Sequence, residues 1–175
     1  MPERQQGADT PILLRPIGVI RTPYTDWAPY QPVEREEGVG KFHVQVHERY
    51  AQGLQDLDRF AYVILVYYLD RIEKEPGLLV RPPWVDREVG LFASRSPNRP
   101  NPIGLSIVRV HAIEGREIHT WPIDVFDGTP LLDIKPYIAT LDSKTDADDG
   151  WIEGVAGKEH LLQHVRGIPH GHHHE

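Results

Sequence analysis

The chain has 175 residues, a formal net charge of −7 and no cysteine. This length indicates one domain that buries a core of its own, and the lack of cysteine excludes disulfide bonds and thiolate metal sites. The negative charge argues against a protein that is basic all over. We expect a soluble cytoplasmic protein, because no apolar run approaches a membrane span and residues 1–9 lack the apolar core of a signal peptide.

The first half of the chain alternates between apolar runs and polar or proline-rich segments. Residues 39–46 alternate strictly, with Phe42, Val44 and Val46 on one face, which predicts a half-buried strand. Residues 60–69 form a continuous apolar run, typical of a central buried strand. The predicted elements are a strand at 13–20, a loop at 21–32, a strand at 39–46, an amphipathic helix at 47–57 and a strand at 60–69.

The second half carries turn signals between further apolar runs. Glu114-Gly115 predicts a hairpin, and Asp127-Gly128 predicts a tight turn in which the glycine supplies a positive φ. The predicted elements are a short extended piece at 78–80, strands at 89–93, 103–112, 118–125 and 131–138, and a terminal helix at 158–165.

Seven or so strands, one or two short helices and no βαβ alternation predict an all-β, mainly β, barrel-like fold. We expect a flexible N-terminus at 1–11, the β domain at 12–140, an extension with a short helix at 141–166 and a disordered histidine-rich tail at 167–175. The histidines outside the C-terminal region show no ligand spacing, so we expect no metal site.

The segment 95–104, with the sequence RSPNRPNPIG, is the strongest candidate site; it is called the proline-rich segment below. Its three prolines fix much of the backbone and therefore hold the neighbouring side chains in place. Arg95 and Arg99 can offer planar donor groups to a carboxylate or phosphate, and Asn98 and Asn101 add donors and acceptors. The alternative is a rigid surface connection whose arginines are merely solvated.

The motifs that this sequence lacks limit the kinds of catalysis that can be proposed for it. No glycine-rich nucleotide loop, phosphate-binding lysine loop or nucleophile elbow is present, so nucleophilic catalysis has no candidate. The remaining polar groups suit the binding and orientation of a polar cofactor and a substrate amine. Residues 71–109 carry seven basic and four acidic residues, so a nucleic-acid partner would meet this region, although a solvated mixed surface is the alternative.

Two long motifs, FASRSPNRPNPIGLS at 92–106 and DVFDGTPLLDIKPY at 124–137, closely resemble the TrmO family, also called TsaA-like or YaeB-like. Segments 16–21 and 60–71 match the family in the same order, so the resemblance covers about residues 12–138. It implies an S-adenosylmethionine-dependent tRNA methyltransferase that methylates N6 of threonylcarbamoyl-adenosine beside the anticodon. It also implies a single-sheeted β-barrel and a homodimer with the cofactor near the subunit interface.

Site residues follow from the resemblance by position. We expect Asn98, Arg99 and Asn101 to contact the substrate or RNA. The expected cofactor contacts are Pro29, Tyr30, Gln31, Asp70, Arg71, Arg95, Leu105, Asp124, Val125, Phe126, Asp127 and Gly128.

A proton acceptor would be sought first at Asp133 and Asp127, with Lys135 and Tyr137 orienting; the alternative for Asp133 is a structural partner of Lys135. The family has arginine where Tyr30 stands and histidine where Asp70 stands. Two alternatives therefore stay open, the first of them motivated by these departures and by the acidic balance of the chain. One is a methyltransferase of the same fold acting on another small or nucleotide substrate, and the other is a non-catalytic β-barrel that binds RNA or a nucleotide.

Overall fold

Eight antiparallel strands make up most of the ordered elements. The computed structural model describes residues 11–29, 40–73, 75–82 and 85–153. The strands are β1 (Gly18–Arg21), β2 (His43–Val46), β3 (Tyr62–Tyr68), β4 (Leu79–Val80), β5 (Val89–Gly90), β6 (Ile103–Glu114), β7 (Glu117–Thr120) and β8 (Thr129–Pro136).

Six of these strands close into one barrel in the order β1-β2-β7-β6-β3-β8, with β8 pairing back to β1. Strands β4 and β5 form a separate two-stranded sheet. Closure leaves the barrel strands without an open edge, since each of them has a partner on both sides. The mainly β class predicted from the sequence is confirmed.

The core lies inside this barrel because the strands alternate between inward apolar and outward residues. In β3 the inward positions are Val63, Leu65 and Tyr67, and all three are buried. The predicted alternation in β2 is confirmed, since Phe42, Val44 and Val46 are buried. The other buried apolar core residues packed with them are Ile20, Leu57, Val108, Ile118, Ile123, Val125 and Leu131.

Several predicted elements are wrong in type or length. The segment 47–57 is not an α-helix: it forms a 3-10 helix at Glu48–Leu54 and a second one at Leu57–Arg59. Asp56 between them has a φ of 63°, a left-handed conformation that interrupts any continuous helix. Tyr50 and Leu54 still pack against the core, so the spacing identified the buried side chains correctly.

Strand ends also differ from the prediction. The strand expected at 118–125 is β7 and stops at Thr120, because Pro122 has no N–H to continue the ladder. Ile123 and Val125 are nevertheless fully or almost fully buried. The strand expected at 89–93 is only β5, and a 3-10 helix (Leu91–Ala93) replaces the rest. At 13–20 only the last residues enter β1, and Leu13 and Leu14 are exposed.

After β8 the chain turns back toward the proline-rich segment. A short helix α1 (Ala139–Asp142) is followed by a 3-10 helix (Gly150–Ile152). The indole Nε1 of Trp151 donates to the carbonyl of Ala93 at 2.8 Å. The predicted terminal helix and tail lie outside the described residues. Among the helices that the structure describes, none has the length and apolar character needed to cross a bilayer.

Candidate functional site

Three separate segments are joined by one side chain at the end of the barrel where β3 ends and β8 begins. Arg71 follows β3, and its guanidinium donates to the carbonyl of Thr25 in the loop after β1. It also donates to the carbonyl of Asp127, at 3.1 Å, in the turn before β8. The same guanidinium stacks on the ring of Phe126, 4.7 Å from its centroid. Arg71 therefore fixes the loop and the turn relative to the end of β3.

The proline-rich segment is held from within by Arg99. Nη1 of Arg99 lies 3.3, 3.0 and 3.4 Å from the carbonyl oxygens of Leu91, Ser94 and Ser96. The guanidinium also lies 5.6 Å from the ring centroid of Phe92. Arg99 is thus committed to the backbone of its own loop, and it shapes the segment rather than projecting from it.

Arg95 differs from Arg99 in this respect. It is exposed and makes no hydrogen bond or ion pair with any residue that the structure describes. Burial raises the pKa of the nearby Asp124 and Tyr67, and the positive charge of Arg95 opposes this rise in part at both groups. An arginine whose donors have no partner among the described residues is suited to a ligand that carries an anion.

Inward-facing polar groups lie beneath Arg95. The hydroxyls of Tyr67 and Ser106 are 2.9 Å apart. Burial raises the pKa of Asp124 to about 6, although the neighbouring Ser106 hydroxyl lowers it in part. Burial and the charge of Asp124 raise the pKa of Tyr67 to about 12. The ring of Tyr67 lies directly on Gly104, where an added Cβ would come within 1.9 Å of Cε2. The glycine is therefore needed for this ring position.

The turn before β8 is fixed to β1 by Asp127. Its carboxylate accepts from Nη1 of Arg21 at 3.3 Å and from the backbone N–H of Thr22 at 3.2 Å. Gly128 has a φ of 83° and donates to the carbonyl of Ile20 at 2.9 Å. The predicted positive φ at this glycine is confirmed, and both oxygens of Asp127 already have partners.

Comparison with known proteins identifies the family to which this chain belongs. A model described as "tRNA-methyltransferase O N-terminal domain" matches residues 19–143, which include all the segments above. The chain belongs to this family. The family resemblance inferred from residues 92–106 and 124–137 is confirmed.

Three similar proteins illustrate the relationship. A probable S-adenosyl-L-methionine-binding protein of Archaeoglobus fulgidus is 42% identical over 144 residues, which are 81% of this chain and 38% of that protein. The tRNA (adenine(37)-N6)-methyltransferase of Escherichia coli is 32% identical over 152 residues, 82% of this chain and 65% of the other. The crystal structure of TrmO from Pseudomonas aeruginosa has a TM-score of 0.64 at 28% identity, covering 81% of this chain and 63% of that one. The chain thus spans less than two thirds of each of these proteins.

Many of the predicted cofactor contacts of this family meet at one end of the barrel. Arg71, Arg95, Asp124 and the turn through Gly128 lie around the group described above. Leu105 lies on the outer face of β6, 62% exposed, whereas its neighbour Ser106 faces inward. Tyr30 and Gln31 lie outside the described residues. The predicted cofactor contacts that belong to or adjoin these segments in the sequence are Pro29, Asp70, Arg71, Arg95, Asp124, Val125, Phe126, Asp127 and Gly128.

The remaining candidates are spread more widely. Lys135 and Asp133 form an ion pair of 2.7 Å on the outer face of β8, opposite Ile64 and Val66 of β3. Tyr137 follows β8 and packs edge-on against Tyr62, at the far end of β3. These three residues therefore lie away from the inward-facing polar group, and the arrangement fits the structural alternative for Asp133.

The two asparagines of the proline-rich segment differ in their exposure to solvent. Oδ1 of Asn98 is buried and has no partner among the described residues, while Asn101 is exposed. In the part of the chain that the structure describes, no group of three or more histidine, aspartate or glutamate side chains is arranged to hold a metal ion.

Sequence reasoning missed Tyr67 and Ser106 as site residues. A signal was available, because both stand at inward positions of strands whose other inward residues are apolar. A hydroxyl at such a position needs a partner, and two of them on adjacent strands predict contact. The strand pairing that brings them together was not readable from the sequence.

Proposed function

We propose that this chain is an S-adenosylmethionine-dependent tRNA methyltransferase that methylates N6 of threonylcarbamoyl-adenosine beside the anticodon. The observation that carries the proposal is the unengaged Arg95 above a buried carboxylate, at the barrel end where the family's motifs meet. The Escherichia coli relative bears the name of this activity toward adenine 37 of tRNA. A cytoplasmic location follows from such a substrate.

The donors at this site fit S-adenosylmethionine. The cofactor has a carboxylate, an amine, a sulfonium and an adenine, and when bound it would supply an activated methyl group. Arg95 would hold the carboxylate, since its guanidinium has no partner among the described residues. The carbonyls and carboxylates of the turn through Gly128 would accept from the amine and the adenine. The buried Oδ1 of Asp124, which lacks a partner in the described ranges, supports a ligand donor at this point.

Arg71 and Arg99 have supporting tasks in this proposal. Both use their guanidinium groups on backbone carbonyls, so they keep the loop after β1, the turn and the proline-rich segment in fixed relative positions. Preorganised positioning alone can supply several kcal/mol of barrier reduction, of order 7 kcal/mol or more in favourable cases. RNA contact would then be left to exposed groups such as Asn101.

We also propose that the active form is a homodimer that uses the outer face of β3 and β6. This face is continuous, because Tyr68 pairs with Ile103 and Val66 pairs with Leu105. Ile103, Leu105 and Ile107 are 42%, 62% and 46% exposed, an unusual density of apolar side chains for a solvated sheet face. Leu105→Asp should yield a monomer by light scattering. Leu141→Asp is the matched control, because Leu141 is equally exposed but lies off this face.

The test of activity uses purified protein, S-adenosylmethionine and two tRNA preparations, one carrying threonylcarbamoyl-adenosine and one lacking the threonylcarbamoyl group. Mass spectrometry of the digested nucleosides should show one added methyl group on threonylcarbamoyl-adenosine only. Methylation of unmodified adenosine instead would refute the proposed substrate, and no methylation of either tRNA would refute the proposed activity.

Calorimetric titration with S-adenosylhomocysteine separates the cofactor from the acceptor. We expect binding of about one molecule per chain, and loss of this binding in Arg95→Ala. Arg81→Ala is the matched control, because the one interaction of Arg81 within the described part of the chain is an exposed ion pair with Asp86. Binding without tRNA methylation would favour a methyltransferase with another substrate, and no binding would favour a non-catalytic barrel.

A further inference from the structure

Asp124 is surrounded by polar groups from four different segments. It stands between the buried Ile123 and Val125 on the connection from β7 to β8. The titratable and polar groups that face it are Tyr67 from β3, Ser106 from β6, Tyr24 from the loop after β1 and Arg95 from the proline-rich segment. Its Oδ1 is buried without a hydrogen-bond partner among the described residues.

Within the described ranges Asp124 forms no ion pair, although the charge of Arg95 acts on it, and this distinguishes it from Asp127 and Asp133, the two aspartates considered first for proton transfer. Asp127 is paired with Arg21 at 3.3 Å, and Asp133 is paired with Lys135 at 2.7 Å. A carboxylate bound by a cation is a weaker base, because the cation stabilises the charged form. Burial acts in the opposite direction on Asp124 and raises its pKa to about 6, so it is largely ionised at neutral pH yet more basic than an ordinary aspartate.

We propose that Asp124 accepts the proton that leaves the exocyclic nitrogen of the target adenosine during methyl transfer, with Ser106 and Tyr67 as positioning residues. This inference rests on the proposed function. The N–H bond breaks and its proton passes to the Asp124 carboxylate. The nitrogen's electron pair forms the new bond to the methyl carbon supplied by S-adenosylmethionine, and the carbon–sulfur electron pair stays on sulfur.

The chemistry requires such an acceptor. The lone pair of an exocyclic adenine nitrogen is delocalised into the ring, and a carbamoyl substituent withdraws it further. The nitrogen is therefore a poor nucleophile, and removal of its proton as the new bond forms lowers the barrier. Proton transfer to a positioned group typically contributes about 10²- to 10⁴-fold in rate.

Asp124→Asn tests the proposal in the full-length protein with threonylcarbamoyl-adenosine tRNA. At saturating S-adenosylmethionine, which removes any effect of the substitution on cofactor affinity, we expect kcat to fall by about 10²- to 10⁴-fold. Asp86→Asn is the control, because the Asp86 carboxylate is fully exposed and pairs with Arg81 rather than with any group around Asp124. Unchanged kcat in Asp124→Asn would overturn the proposal, and so would a loss confined to cofactor binding.

Ser106→Ala tests the role of Asp124 through the pH dependence of kcat, which would not change if Asp124 had a purely structural role. The Ser106 hydroxyl lowers the pKa of Asp124 in part, so its removal should raise that pKa. The acidic limb of the kcat profile should move to higher pH, and carboxyl ¹³C NMR titration of the ligand-free protein should show the same direction of shift for Asp124. An unshifted NMR titration, or a pH profile that does not follow it, would refute the assignment independently of the Asp124→Asn result.

The two proposals fail in different ways. Wild-type protein that methylates neither tRNA refutes the proposed function. Wild-type protein that methylates the tRNA, together with an Asp124→Asn variant of equal kcat, refutes only the role of Asp124.

Discussion

The close contact between Gly104 and Tyr67 makes Gly104→Ala a sharp test of how the site is built. An alanine Cβ would lie 1.9 Å from Cε2 and 2.5 Å from Cζ of Tyr67. The ring is only 5% exposed and faces the barrel interior, so it can move only by disturbing the core. Overpacking of this kind costs about 1–3 kcal/mol, and loss of the hydrogen bond between Tyr67 and Ser106 adds about 1 kcal/mol.

We therefore expect Gly104→Ala to lower the free energy of unfolding by about 2–4 kcal/mol. Equilibrium unfolding in urea measures this, with the midpoint and slope compared with wild type. Gly90→Ala is the matched control, because a Cβ there meets no atom within 4 Å and the φ is −59°. The control should change stability by no more than about 0.5 kcal/mol.

A double-mutant cycle assigns the cost to the ring. Tyr67→Leu removes the ring atoms that clash, so adding Gly104→Ala to that background should cost at least about 1 kcal/mol less than it does in wild type. An equal cost in both backgrounds would refute the contact as the cause. A Gly104→Ala variant as stable as Gly90→Ala would refute the reasoning altogether.

Three further outcomes are expected, each measured by urea unfolding. Arg99→Ala should lower the free energy of unfolding by about 1–3 kcal/mol and make the proline-rich segment more sensitive to proteolysis. Arg81→Ala should have neither effect. Equal digestion of the two variants would contradict the role of Arg99. Thr22→Val should cost about 1–2 kcal/mol, because the buried hydroxyl of Thr22 donates to the carbonyl of Val125 at 2.8 Å; no loss would contradict it. Burial raises the pKa of Asp124 to about 6, so the protonated carboxyl group stabilises the folded state. This contribution to the free energy of unfolding is lost as the pH rises from about 4 to about 6. Asp124→Asn should therefore gain up to about 3 kcal/mol relative to wild type at neutral pH and little near pH 4; the same difference at both would contradict the burial of the charge.

Local sequence determined the features that depend on neighbouring residues. The strict alternation in residues 42–46 produced the inward face of β2, and the apolar run at 60–69 produced the central strand β3. Asp127-Gly128 formed the turn with a positive φ that its residues predict. The paired motifs at 92–106 and 124–137 were specific enough to identify the family. In each case the information lies within a short stretch of chain: side-chain hydrophobicity for the two strands, the backbone freedom of glycine for the turn and residue identity for the motifs.

Tertiary structure decided the rest. Tyr67 and Ser106 are 39 residues apart, and only the pairing of β3 with β6 brings their hydroxyls into contact. The two arginines of the proline-rich segment are indistinguishable by residue type. The 3-10 helix at Leu91–Ala93 places a backbone carbonyl within hydrogen-bond distance of Arg99. Arg95 makes no such bond with any described residue, and its charge acts on Asp124. The basicity of Asp124 depends on burial by residues from distant segments, and no local pattern encodes that environment.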